Sequence, residues 1–451
     1  MFSLTLLLAL SAASLAAAAP HPAHDRDRDH DHDHTAPRAL SSQWFHPDNH
    51  PAHALFRRQT NSTAPTPTQF PAVGSPAWAA AYPQGTPDSN AMPQAWKDAL
   101  AAAVQAGKIP TIAPSHQSSP SADPTYGSLN PNGPQVCSAT YQCVIPGDTE
   151  VWNAPPGVIG ISFDDGPLPT SDKLYAFLAA NHVRATHFYI GENILENWKE
   201  FNAAFANGDD IAVHTWTHPY MTTLSNADVV AQLGWTLQLI YNSTGGHLAK
   251  FWRPPYGDAD TRVVAIAKEV FGLTTVIWNQ DTNDWSLGEA GGTNPTAIAT
   301  NFKKWLTGSK SPGLIVLEHE LSTGSVQAFI DAFPLMQQNN WTLRSVAALD
   351  GASASYQNAQ DSPSQPNLLP LTAGGLDASL ALTSSAPAAT SASASASLGA
   401  NAASAGVPAA SASGINNQAG GKKNAARAPR APAAALALSA AGVLIGLFCA
   451  A

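Results

Sequence analysis

Val158-Ile159-Gly160-Ile161-Ser162-Phe163 runs straight into Asp164-Asp165-Gly166-Pro167. The apolar run is too short for a helix and reads as a strand. Two carboxylates close it, and Gly-Pro then turns the chain sharply. Residues 171–181 carry helical spacing, and 183–190 form a second apolar run. The same unit recurs downstream. Strands are expected at 211–214, 251–253, 273–279 and 314–318, with a short last one at 342–344. Helices are expected at 192–205, 225–241, 261–271, 295–306 and 326–338. Such alternation specifies an α/β fold with a parallel sheet covered by helices. Seven strands suggest a distorted, incompletely closed (β/α) barrel.

Five polar motifs close, or directly follow, these strand candidates. They are Ser162-Phe163-Asp164-Asp165-Gly166, His214-Thr215-Trp216-Thr217-His218, Arg253-Pro254-Pro255-Tyr256-Gly257, Asp281-Thr282-Asn283-Asp284-Trp285 and Leu317-Glu318-His319. In a barrel the C-terminal strand ends meet on one face, so the five motifs become one candidate site.

The residue types fit metal-assisted hydrolysis. His214 and His218 are four apart, and one helical turn would put both imidazoles on one side as metal ligands. No Glu lies between them, which excludes the H-E-x-x-H arrangement. The plain alternative is a pair of surface or core histidines. An Asp from a neighbouring strand end would complete a His₂Asp set and leave a position open for water. Asp164-Asp165 taken alone could be a loop-entry pair. Alternation aims the two side chains differently, however, so one can bind metal while the other serves as base. Arg253, between an apolar strand and Pro254-Pro255, is expected to pair with a buried carboxylate. His319, seen alone, reads as a core histidine, and His182, His187 and His247 read as structural. Of Trp216, Trp252, Trp278 and Trp285, only Trp285 is expected to wall a pocket.

The ends of the chain differ in composition from its middle. Charged residues make up 12% of the 451, and the formal net charge is −10. No basic stripe exists, so nucleic acid is not expected as a partner. Residues 1–19 read as a signal peptide, with an apolar centre at 4–10 and small residues at 16–19. Residues 20–58 form a His/Asp-rich possible pro-region, solvated or metal-binding. Arg57-Arg58 is a weak processing signal within it. Residues 59–156 are a Pro/Ser/Thr-rich extension, mostly irregular, with one helical patch at 92–106. The folded domain is expected at 157–350 and a disordered Ser/Ala-rich stalk at 351–424. Residues 425–451 read as a GPI-attachment signal, with Asn424 as the attachment residue and the region of Ala419 as its competitor. A single transmembrane helix is the alternative for that tail. Export favours a disulfide between Cys137 and Cys143, since Cys449 lies in the apolar tail. Asn61, Asn242 and Asn340 begin N-glycosylation tripeptides.

Over residues 157–350 the five motifs, in this order, resemble the polysaccharide deacetylases of carbohydrate esterase family four, the NodB-homology domain. The leader, the Pro-rich extension, the stalk and the anchor signal look like the fungal chitin deacetylases. The resemblance implies a distorted (β/α) barrel and a divalent metal, Zn²⁺ or Co²⁺, on Asp165, His214 and His218. It implies Asp164 as general base, oriented by Arg253, and His319 as general acid. Tyr256 would offer its backbone N–H to the oxyanion, Asp281 would support the Arg253 or His319 side, and Trp285 would line the pocket. Two residues depart from the usual pattern: Ser162 stands where Thr is usual, and Glu320 where Asp is frequent. The implied reaction is hydrolysis of the N-acetyl groups of chitin to chitosan and acetate. It would be carried out by a monomer, GPI-anchored at the outer face of the plasma membrane or in the wall. Another acetylated glycan such as xylan, or a non-catalytic wall-binding protein, are the competing expectations.

Overall fold

The computed structural model describes residues 36–56, 71–147, 150–351 and 355–359. The expected signal peptide, residues 25–34 of the expected pro-region, Arg57-Arg58, Asn61, most of the expected stalk, Asn424 and Cys449 lie outside the described residues.

Among the described residues nine strands form one curled, all-parallel sheet. They are β1 (Glu150–Val151), β2 (Val158–Asp164), β3 (Thr186–Tyr189), β4 (Asp210–Val213), β5 (Phe251–Trp252), β6 (Thr274–Val276), β7 (Gln280–Asp281), β8 (Leu314–Leu317) and β9 (Thr342–Ser345). The order is β1-β6-β5-β4-β3-β2-β8-β7, with β9 also pairing β2. Every residue of β2 is buried, as befits a strand covered on both faces. Among the described residues no ladder joins the edges β1 and β7. The barrel is therefore incompletely closed, and residues 277–279 bridge the gap. The Ile277 N–H donates to Val151 O at 2.9 Å, and the Asn279 N–H to Ile315 O at 3.0 Å.

Helices cover the outside. Thr261–Phe271 starts at Asp260, whose carboxylate accepts from the Val263 N–H, and stops at Gly272, φ 68°. Asn226–Ser243 is buried on nearly all sides because the N-terminal extension covers its outer face.

The structure corrects the sequence reading in several places. The expected strand 273–279 is shorter, ending at Val276 as β6, and the chain then leaves one neighbour for another to form β7, which with β1 was not expected. The expected helix 192–205 is two, Gly191–Glu196 and Trp198–Ala206. They break at Asn197, whose Nδ2 donates to Asn193 O at 3.2 Å. Residues 36–56, expected within a solvated or metal-binding pro-region, pack on the domain. Phe56 is fully buried, Tyr241 donates to Phe56 O at 3.0 Å, and Arg38 Nε lies 2.8 Å from Asp210. The expected stalk begins late. Within 355–359, Gln357 Nε2 donates to Ala249 O at 2.7 Å and Phe271 O at 3.0 Å. Polar side chains can dock a segment when they satisfy backbone carbonyls that a sequence does not display.

The extension is a wrap. Trp96, from Gln94–Gln105, meets Trp235 and Phe271 edge to face at 5.2 and 5.6 Å. Cys137 and Cys143 are bonded, their Cα atoms 5.0 Å apart. Asn242 is buried, with Nδ2 donating to Tyr82 Oη at 2.9 Å. Asn340 stands exposed in a turn. Among the described residues no helix is long and apolar enough to cross a membrane.

Candidate active site

The strand ends of β2, β4, β5 and β8 bring the motifs together. Beyond β8, His319 pairs by a backbone bridge with Asp164 at the end of β2. Asp164 and Asp165 then part company. Asp164 Oδ1 accepts from Arg253 Nη1 at 2.6 Å, while Arg253 Nη2 donates to Ser162 Oγ at 3.1 Å. The arginine is fully buried, and its cation lies 4.2 Å above the Phe188 ring. The departure from the pattern at Ser162 thus keeps a hydroxyl acceptor for the guanidinium.

Asp165 leaves the strand at φ 69° and turns the other way. Its Oδ1 lies 3.2 Å from His214 Nε2 and 3.1 Å from His218 Nε2. His214 Nδ1 faces Arg253 O at 2.7 Å. A carbonyl only accepts, so Nδ1 carries the proton and Nε2 presents a lone pair to Asp165. Asp165 Oδ1 is buried with no hydrogen-bond donor. Lone pairs converging on one point are the arrangement of a cation's ligands. Adjacent ligands around a tetrahedral ion with bonds of about 2.0–2.1 Å lie about 3.3 Å apart, close to what is seen. The residues present therefore fit a divalent ion.

The two histidines do not share a helical turn, as their spacing suggested. Residues 214–218 form a loop bent by positive φ at Thr215 (65°) and His218 (59°). Tyr256 is likewise left-handed at φ 60°. Its ring meets His218 edge-on at 4.6 Å and stacks on Tyr220 at 3.9 Å and 9°.

His319 is held by Asp284, not Asp281. Its Nδ1 donates to Asp284 Oδ1 at 2.6 Å, and its backbone N–H to Oδ2 at 2.9 Å. Asp281 instead accepts the Asn283 N–H at 2.7 Å, and burial pushes its carboxyl up to about 6. Both acids stand in one motif. The strand end spends the first on the turn and delivers the second to the histidine. Burial works against a charged His319, yet Asp284, with Asp165 and Asp164 beyond, raises it to about 10. Trp285, next along, is half-buried.

A buried polar cluster lies beneath the site. Glu320 reaches His187 Nδ1 and accepts from Tyr175 Oη at 2.8 Å. Tyr175 and Tyr189 share a hydroxyl contact at 2.6 Å. His187 also lies 3.6 Å from Asp209. The Glu320 backbone N–H donates to Asp164 O at 3.1 Å, tying the cluster to the site floor. Composition could not reveal Glu320, His187 or Asp284 as partners, because their contacts join distant strands.

The Polysaccharide deacetylase family model matches residues 153–276. Chitin deacetylase 3 of Cryptococcus neoformans var. neoformans serotype D is 40% identical over 316 residues, 67% of this chain and 72% of the relative. Chitin deacetylase 1 of Saccharomyces cerevisiae is 36% identical over 183 residues, 40% of this chain and 58% of the relative. A solved chitin deacetylase from the fungal pathogen Colletotrichum lindemuthianum aligns with TM-score 0.43 and 24% identity, covering 48% of this chain and 97% of that one.

Proposed function

Because the chain belongs to the polysaccharide deacetylase family and is a deacetylase hydrolase, we propose that it removes N-acetyl groups from chitin, giving chitosan and acetate. One observation carries the reading. Three ligand atoms on Asp165, His214 and His218 converge beside a carboxylate, Asp164, that is held separately by Arg253, and an acid–histidine pair, Asp284–His319.

Asp165, His214 and His218 would hold the divalent ion, Zn²⁺ or Co²⁺. When bound, such an ion supplies Lewis-acid polarisation of a carbonyl and acidification of water. Asp164 takes the proton of the water that attacks the acetamide carbon; Arg253 keeps that carboxylate aimed. The Tyr256 backbone N–H faces the oxygen on which charge develops. His319, held protonated by Asp284, gives its proton to the departing amine as the C–N bond breaks. Trp285 walls the sugar. The leader and tail read from the sequence put the reaction outside the cell, with the protein on a GPI lipid near the wall.

Purified protein is incubated with N-acetylglucosamine oligomers, with chelator, and with Zn²⁺ or Co²⁺ restored. Acetate release lost to chelator and regained with metal is the expected result. No release under any condition would sink the proposal. Release from acetylated xylan alone would move the substrate to another glycan.

A further inference from the structure

We propose that residues 115–143 of the N-terminal extension brace the loops that carry His218 and Tyr256, and that Asp258, bound to Thr222, is the positioning residue through which they do so. The inference rests on the metal-dependent deacetylase reading of the site.

Non-glycine residues at positive φ persist only where their surroundings over-determine them. His218 and Tyr256 are two such residues, on separate loops, and their rings touch. Four residues after His218 comes Thr222, and two after Tyr256 comes Asp258. Both are fully buried. Asp258 Oδ2 accepts the Thr222 N–H at 2.8 Å, and both carboxylate oxygens lie 2.9 Å from Thr222 Oγ1. The two loops are thus pinned to each other just past their strained residues.

The extension closes the knot. Thr140, between the bonded cysteines, donates to Asp258 Oδ1 at 3.2 Å. The Ser115 N–H donates to Thr222 O at 2.9 Å, and the Ser115 and Thr222 hydroxyls lie 2.6 Å apart. Ala139 N–H reaches Ala259 O at 2.8 Å, and Thr261 N–H reaches Val136 O at 2.9 Å. From below, Arg262 Nη2 donates to Thr222 O at 2.8 Å. A carboxyl group on one loop that accepts from the other loop and from the extension suits this node, since it has several acceptor positions. Groups behind a metal ligand orient it, and their loss typically costs 10–100-fold in metal affinity.

The test compares full-length wild type with Thr222→Val, Asp258→Asn and the conservative Thr222→Ser. Co²⁺ titration followed by visible absorption reads affinity and ligand geometry. Kinetics on N-acetylglucosamine oligomers separate kcat from KM, and thermal unfolding checks the fold. Thr222→Val and Asp258→Asn are expected to weaken Co²⁺ binding by at least about tenfold and alter the Co²⁺ spectrum. They should also lower kcat more than they raise KM. Thr222→Ser should restore all three. If Asp258→Asn does not fold, Thr222→Val and its Ser rescue decide. Folded Thr222→Val with wild-type Co²⁺ affinity and spectrum overturns the inference. Wild type that neither binds Co²⁺ nor releases acetate defeats the underlying reading instead.

Discussion

Asp284 shows what a single side chain adds to the site. It takes both the backbone N–H and Nδ1 of His319, which fixes the ring and leaves Nε2 to exchange a proton. With Asp284 present, His319 stays protonated until about pH 10. Activity that needs the acid form should therefore hold through neutrality and fall on the alkaline side. Asp284→Asn removes the charge, and the alkaline limb should move down toward the ordinary histidine value of about 6.5, a loss of roughly 30-fold at pH 8. The kcat–pH profile measures this; an unmoved alkaline limb would refute the assignment. The motif Asp281-Thr282-Asn283-Asp284-Trp285 was legible as acidic and site-facing. Which acid reached the histidine was not. That choice depends on a turn in which Asn283 sits at φ 54° and its N–H engages Asp281.

Elements were legible wherever the chain's own periodicity decided them. Thr261–Phe271 and Pro295–Leu306 have the expected bounds, since Asp260 and Asn294 cap them and Gly272 ends the first. The break at Asn197 and the end of β6 at Val276 were not legible, because both answer to neighbours rather than to local pattern. Gln94–Gln105 is the instructive case, a helix recognisable in a Pro-rich stretch whose purpose lies elsewhere. Its Trp96 is fully buried between Trp235 and Phe271. A Cβ on Gly234 would lie 2.6 Å from that indole, so the glycine exists to admit it. Trp96→Ala should cost about 3–5 kcal/mol, read as a shifted denaturant midpoint. A shift below about 1 kcal/mol would show that the helix merely rests on the surface.

At the scale of the whole molecule, the enzyme domain is not separable from what precedes it. Residues 36–56 bring Arg38 to buried Asp210, which also accepts from Ser345. His46 and His50 engage the carbonyls of Gly272 and Lys268 at 2.8 and 3.0 Å. A chain beginning after residue 56 loses the Arg38–Asp210 pair and the fully buried Phe56, whose ring alone is typically worth about 3–5 kcal/mol. Thermal unfolding of that truncation should show a clear drop in Tm, and an unchanged Tm would make the segment a passenger. By itself the sequence determined the alternating α/β order, the incompletely closed barrel and the residues that could bind a metal. Those follow from periodicity and from the chemistry of side chains at strand ends, both local properties. Only the tertiary structure decided that Asp165 faces the histidines while Asp164 faces Arg253, that Asp284 holds His319, and that the N-terminal segments belong to the domain. Each of these depends on contacts between residues far apart in the chain, which close packing alone brings together.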